Sequence, residues 1–431
     1  MNVSSCGRRL ISIIYTVCIL LISAKYTLAD DNNILQKNRL QVKRLIENYL
    51  EYEDLGVKDG IIDQLKDLSG NSPKALKRFL KESFPYTEAK HAIYQKKILI
   101  NGMQQKYFLY VPKGYSPEKQ TPAIVSLHGV GESGAAFMKL WLKYSTHKNK
   151  YIFICPNYNN AYWWQPNGEK LLMEILKEVS IEYNIDSNRV YLTGFSSGAH
   201  GVWFNAIRHP DLFAAAVVMA GECPIPSQLA NLRNVPIYII HGSNDGTIPI
   251  EAARDAKKRL EDLSYKFDYM ELPEMRHAYP LQKFNTILDW LSKKERPQNP
   301  HSVKYTGNIQ GAQSVYWLRI DEAINVFGLP DEKEIKEDVL QTEKYTEGDD
   351  LPTIDGEING NDIKVTCSGI KKFSMFFDDE SFATNEPINI FVNKQLKFSG
   401  NLTPDISNIL KSMNNTFDRN RLYTMSIDIE M

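Results

Sequence analysis

Cysteine is scarce. The 431 residues hold five, and two of them, Cys6 and Cys18, lie within the first 29 positions. Cys155, Cys223 and Cys367 remain, an odd number, so no full disulfide framework forms and at least one thiol stays unpaired. Neither CxxC nor HExxH spacing occurs, so the usual signatures of a zinc site are missing and no metal is expected. Charge of one sign is also missing: 51 Lys and Arg against 52 Asp and Glu leave a formal charge of −1. A nucleic-acid binder would carry a basic excess or stripe. Beyond residue 30 no apolar run reaches the ~18 residues that would span a bilayer. What is present, 43% hydrophobic, 11% aromatic and 24% charged residues, is the composition of a globular protein with room for an enzyme domain and something smaller.

The first 29 residues read as a signal peptide. Arg8 and Arg9 form a positive n-region, Leu10 to Ile22 an almost unbroken apolar stretch, and Thr27-Leu28-Ala29 a small-residue cleavage site. Cleavage after Ala29 predicts a secreted or periplasmic protein without a membrane span. The rival, an uncleaved anchor, is disfavoured because the apolar run is short for a span.

Residues 30–92 read as a helical segment with no chemistry of its own. Leu40, Leu45, Tyr49 and neighbouring apolar residues recur at spacings of three and four, and Ser72-Pro73 opens a second helical run. From 93 to 293 strands alternate with helices. Asn101-Gly102 marks a hairpin. Buried-type strands are predicted at Ala123–Leu127, Tyr151–Pro156, Arg189–Gly194, Ala215–Ala220, Pro236–Ile240 and Phe267–Leu272, with helices between them. That order predicts an α/β fold, a mostly parallel sheet sandwiched by helices. Residues 294–304 form a polar, proline-containing linker. From 305 to 431 the period shifts to two, as in Ser314–Ile320, Ile388–Val392 and Tyr423–Ile429, which predicts a small β-sandwich-like domain with one helix near Asp405–Met413.

The strongest chemical signal is Gly194-Phe195-Ser196-Ser197-Gly198, a GxSxG pattern. Alone it is weak. Here Val190-Tyr191-Leu192 runs into it as a strand and His200 to Ile207 leaves it as a helix, the context a nucleophile elbow requires. A serine hydroxyl needs a base to take its proton and an acid to orient that base. Of the five histidines after Ser196, only His277 lies in a loop after the last strand of the α/β region. Asp245, in the Gly-rich loop His241–Pro249, is the expected acid, with Glu222 in reserve. The oxyanion donors are expected to be the backbone N–H groups of Ser197 and of Val130, in the loop Leu127–Gly134, with Gly129 or Gly131 as the alternatives to Val130. That loop matches neither a Walker nor a GxGxxG pattern, so no cofactor is expected. Trp163 and Trp164, on another loop, could form a stacking wall for a substrate ring or simply pack the loop. Glu132 and Arg276 have no assigned role.

These pieces resemble the α/β-hydrolase superfamily, and within it the polyhydroxybutyrate-depolymerase and feruloyl/acetyl-xylan esterase group of secreted serine esterases. The resemblance rests on Leu127–Gly134, Tyr183–Gly198, Pro210–Val217 and His241–Pro249 and covers about 200 residues of the chain. It implies Ser196 as nucleophile, Asp245 as acid and His277 as base. Family members often carry Met or Gly where this chain has Ser197, and Gly where it has Arg276. The expectation is an exported serine esterase acting on small or polymer-linked esters, without nucleic-acid partners, its β domain touching carbohydrate by analogy of architecture alone. A prolyl-oligopeptidase-type peptidase and a retired hydrolase domain in a binding protein are the alternatives.

Overall fold

Asn101 and Gly102 both adopt positive φ, 48° and 78°, as a two-residue turn must if its twist is to match the strands it joins. In this computed structural model they join β1 (Ala92–Ile100) to β2 (Met103–Val111) and open the large sheet. The structure describes residues 34–158, 162–307, 313–324, 351–378, 386–413 and 417–431; the expected signal peptide lies outside them. The sheet continues with β3 (Thr121–Leu127), β4 (Ile152–Asn157), β5 (Ile185–Phe195), β6 (Ala215–Met219), β7 (Ile237–Gly242) and β8 (Phe267–Leu272), in the order β1-β2-β4-β3-β5-β6-β7-β8. β2 joins β4 antiparallel, and every pairing from β4 to β8 is parallel.

Residues of the central strands alternate between two cores. Val125, Leu192, Val218 and Ile239 face one, packed against helices Pro166–Glu182, Ser197–Arg208 and Ile250–Asp262. Ile124, Tyr191, Val217 and Ile240 face the other, under helices Gly134–Tyr144 and Phe284–Leu291. Burial on both faces is why these strands read as unbroken apolar runs. Cys155, Cys223 and Cys367 are all buried, and no disulfide forms among the described residues.

The C-terminal strands are β9 (Ser302–Thr306), β10 (Gln313–Val315), β11 (Leu318–Ala323), β12 (Thr353–Asn359), β13 (Asp362–Ser368), β14 (Ile370–Phe377), β15 (Ile388–Val392), β16 (Gln395–Gly400) and β17 (Met425–Glu430). They form a four-stranded sheet, β10-β11-β14-β17, and a five-stranded one, β16-β15-β13-β12-β9, which share one apolar core. The alternating run Ser314–Ile320 is a tight hairpin rather than one strand. Tyr316 turns at φ 57°, and both turn side chains are buried: the Tyr316 hydroxyl donates to the Pro210 carbonyl at 2.9 Å and the Trp317 indole N–H to the Pro300 carbonyl at 2.8 Å. Aromatic anchors at a turn imitate the hydrophobic alternation of a strand.

Helices Arg39–Glu51, Leu55–Leu68 and Pro73–Glu82 begin the described chain. Asp54 and Ser72 cap the second and third by accepting from Val57 N and Ala75 N. Their core is completed from the far end of the sequence: Leu45, Leu65, Leu76 and Phe79 pack in one cluster with Ile406, Ile409, Leu410 and Met413 of helix Ile406–Met413.

The segment following Phe284–Leu291 is anchored by a buried charge. Arg296, 2% exposed, pairs with Asp418 at 2.7 Å and donates to Asn188 Oδ1 at 2.9 Å. Arg421 pairs with both Asp418 and Asp211 at 2.8 Å, so guanidiniums and carboxylates alternate between the large sheet's connections and the C-terminal strands. Burial pushes the Asp418 carboxyl up, but the two guanidiniums outweigh it and hold it well below the usual carboxylate range. Asp418→Asn leaves two buried cations short of an anion and is expected to cost about 3–5 kcal/mol in urea unfolding at neutral pH. The depressed pKa means this contribution is complete above the unfolded value near ~4 and is lost as pH falls below it. The stability gap between wild type and Asp418→Asn should therefore narrow in acid.

Candidate active site

β5 and helix Ser197–Arg208 meet at Ser196, whose φ of 56° and ψ of −125° lie in a region that side-chain-bearing residues avoid. The turn is tight enough to exclude side chains on both flanks. A Cβ on Gly194 would stand 2.2 Å from the Gly198 carbonyl oxygen, and one on Gly198 would stand 2.0 Å from the Leu127 carbonyl oxygen. The Ser196 N–H donates to the Met219 carbonyl at 3.0 Å, which fixes the elbow to β6.

The loop after β8 brings His277 over this turn. Its Nε2 lies 2.9 Å from Ser196 Oγ and its Nδ1 lies 2.7 Å from Asp245 Oδ2. The other Asp245 oxygen accepts from the N–H groups of Thr247 and Ile248, both at 2.9 Å. Burial raises the Asp245 carboxyl, but the His277 hydrogen bond and those two backbone donors prevail and lower it. An ionised Asp245 assigns the Nδ1 proton to His277 and leaves Nε2 free to accept from the serine. Asp245, not the reserve acid Glu222, meets the histidine.

The loop after β3 lies against the nucleophile: a Cβ on Gly129 would sit 3.2 Å from Ser196 Cβ. His128 braces it from behind. Its Nδ1 hydrogen-bonds the Gly129 carbonyl at 2.8 Å and its Nε2 accepts from Tyr158 N at 3.2 Å, which defines the neutral tautomer; burial lowers its pKa. The Gly129 N–H is turned to Glu132 Oε2 at 3.2 Å, and Glu132 also takes the Tyr279 hydroxyl. Ser197 opens the helix, where first-turn N–H groups lack intrahelical partners and the dipole favours an anion. Val130, whose side chain is exposed, follows Gly129 in the same loop.

Residues 169–295 match the phospholipase/carboxylesterase family. A relative named "Probable carboxylesterase SOBER1-like" from Arabidopsis thaliana is 24% identical over 42% of this chain and 80% of its own length. Feruloyl esterase C of Emericella nidulans is 29% identical over 36% of this chain, which spans 61% of that enzyme. Poly(3-hydroxyalkanoate) depolymerase C of Paucimonas lemoignei is 30% identical over 26% of this chain, which spans 30% of it. The large sheet and its helices have the α/β-hydrolase fold, and the matched stretch is similar to that family.

Within this fold the two tryptophans part company. Trp163 has no exposed surface. Its indole N–H donates to the His128 carbonyl at 2.8 Å, and a Cβ on Gly201 would fall 2.2 Å from its own Cβ. No ring face is left for a substrate, so Trp163 supports the loop that carries Val130. Trp164, 5% exposed, lies against Tyr162 and His200 with ring centroids 5.4 and 5.2 Å apart.

Three neighbours of the site had no clear signal in the sequence. Glu132 and Tyr279 tie the loop after β3 to the loop carrying His277, and Tyr279 stacks on Phe195 at 4.0 Å between centroids. Their proximity depends on the closure of two loops far apart in sequence. His200 was visible four residues after Ser196, but its surroundings were not. A methyl group at Gly198 must move backbone, so Gly198→Ala is expected to cost about 2–4 kcal/mol in urea unfolding and to abolish fluorophosphonate labelling of Ser196. Gly246→Ala, with open space around the added atom, serves as the control and should label at the wild-type rate.

Proposed function

We propose that this chain is an exported serine esterase. The observation that carries the reading is the position of His277, within hydrogen-bond distance of both Ser196 Oγ and Asp245 Oδ2. Ser196 Oγ attacks the ester carbonyl carbon while His277 Nε2 takes its proton, and Asp245 stabilises the imidazolium that results. The oxyanion is received by the N–H groups of Ser197 and Val130. The Gly129 N–H already serves Glu132, which favours Val130 as the loop's donor. His277 then protonates the departing alcohol, and water, activated by the same histidine, releases the acid from the acyl-serine.

The names of the relatives, a carboxylesterase, a feruloyl esterase and a polyhydroxyalkanoate depolymerase, favour esters over amides and make polymer-linked esters the class to screen. The Arg8-Arg9 and Leu10–Ile22 pattern supports export with cleavage after Ala29.

Residues 30–431 should hydrolyse p-nitrophenyl acetate, and Ser196→Ala should reduce turnover to the non-enzymatic rate. Asp245→Asn should lower kcat on the order of 10⁴-fold by leaving the wrong histidine tautomer, the cost seen when a serine protease loses its triad aspartate in this way. Equal slow hydrolysis by wild type and Ser196→Ala would overturn the assignment.

A further inference from the structure

A buried imidazole normally has a partner for each ring nitrogen, because a polar atom withdrawn from water and left unpaired destabilises the fold. His128 follows this rule at both nitrogens. His200 breaks it twice. It is 7% exposed, and among the described residues neither Nδ1 nor Nε2 has a hydrogen-bond partner. Its neighbours along the helix, Ala199 and Val202, belong to the apolar core.

Its place in the fold points to the substrate. His200 lies one helical turn beyond the nucleophile and donates its backbone N–H to the Ser196 carbonyl at 3.2 Å. Side chains on a helix tilt toward its N-terminus, which directs this ring back to the end where Ser196 stands. Trp164 flanks it at 5.2 Å. Burial, and then the charges of His277 and His241, push its pKa down to about 4, so at neutral pH it offers one N–H donor and one nitrogen acceptor. That pair complements a hydroxyl, which both accepts and donates, and gives a carboxylate no countercharge.

We infer that His200 is a specificity residue of the acyl pocket, hydrogen-bonding an uncharged polar atom, a hydroxyl above all, on the acyl chain. The inference rests on the esterase reading. A site built around a hydrogen bond rejects the analogue that lacks it, because its own polar group is then left unpaired.

The test uses isosteric p-nitrophenyl esters in which a terminal methyl becomes hydroxyl: propionate against glycolate, and butyrate against 3-hydroxypropionate. Each kcat/KM is divided by the ester's non-enzymatic rate. Wild type is expected to favour the hydroxyl member of at least one pair by tenfold or more. His200→Phe should collapse that ratio at least tenfold, and His200→Gln, which still donates and accepts, should restore part of it. A ratio in His200→Phe within twofold of wild type would overturn the inference, leaving an interior histidine or one that holds only a water. So would a wild type that does not discriminate. Fluorophosphonate labelling of Ser196 separates the failures. A labelled serine without discrimination, or without turnover of any of the four esters, sinks this inference alone. Absence of both labelling and turnover sinks the esterase reading with it.

Discussion

The positive φ of Ser196 is a local cost met by the packing around it, and the geometry of the site follows from that arrangement. Left alone, the turn would relax. It is held because backbone meets backbone on both sides: Gly198 against the Leu127 carbonyl and Gly194 against Gly198, with the Ser196 N–H bonded to β6. Three neighbouring parallel strands therefore hold this one turn in place. The histidine and aspartate come from loops after β8 and β7, whose starting points the same sheet sets. Preorganisation of this kind places the cost in folding rather than in the reaction.

Around that rigid centre, loops are tied to each other as well as to the sheet. Glu132 links the loop after β3 to Tyr279, two residues beyond His277, and Trp163 and His128 brace the same loop from below. The C-terminal sandwich is fixed to the hydrolase by alternating buried charges, Arg296, Asp418, Arg421 and Asp211. Such pairs are geometrically demanding and costly to desolvate.

Much of the hydrolase was legible in the sequence because its signals are local. Asn101-Gly102 forms its hairpin, the apolar runs of β3 to β7 are buried on both faces, and a strand leads into Gly194–Gly198 as the elbow demands. Ser196, Asp245 and His277 could be ordered along the chain because strand ends place them. Other features were hidden where meaning depends on distant partners. Trp163 and Trp164 look alike in sequence, yet one is sealed against Gly201 and the other borders His200. Tyr316-Trp317 scans as strand because its aromatic side chains are buried at a turn. Arg296 sits in a polar, proline-flanked stretch that reads as linker, and only Asp418, far along the chain, reveals it as an anchor.

Helices Arg39–Glu51, Leu55–Leu68 and Pro73–Glu82 share their core with Ile406, Ile409, Leu410 and Met413. These helices must therefore keep an apolar face uncovered until residues 406–413 have been made. Closing a loop of that length adds little to the entropic cost, which grows only logarithmically, but it delays the event. A chain halted before residue 406 carries Leu76, Phe79 and Leu80 without the cover of that helix, an exposed apolar patch prone to association.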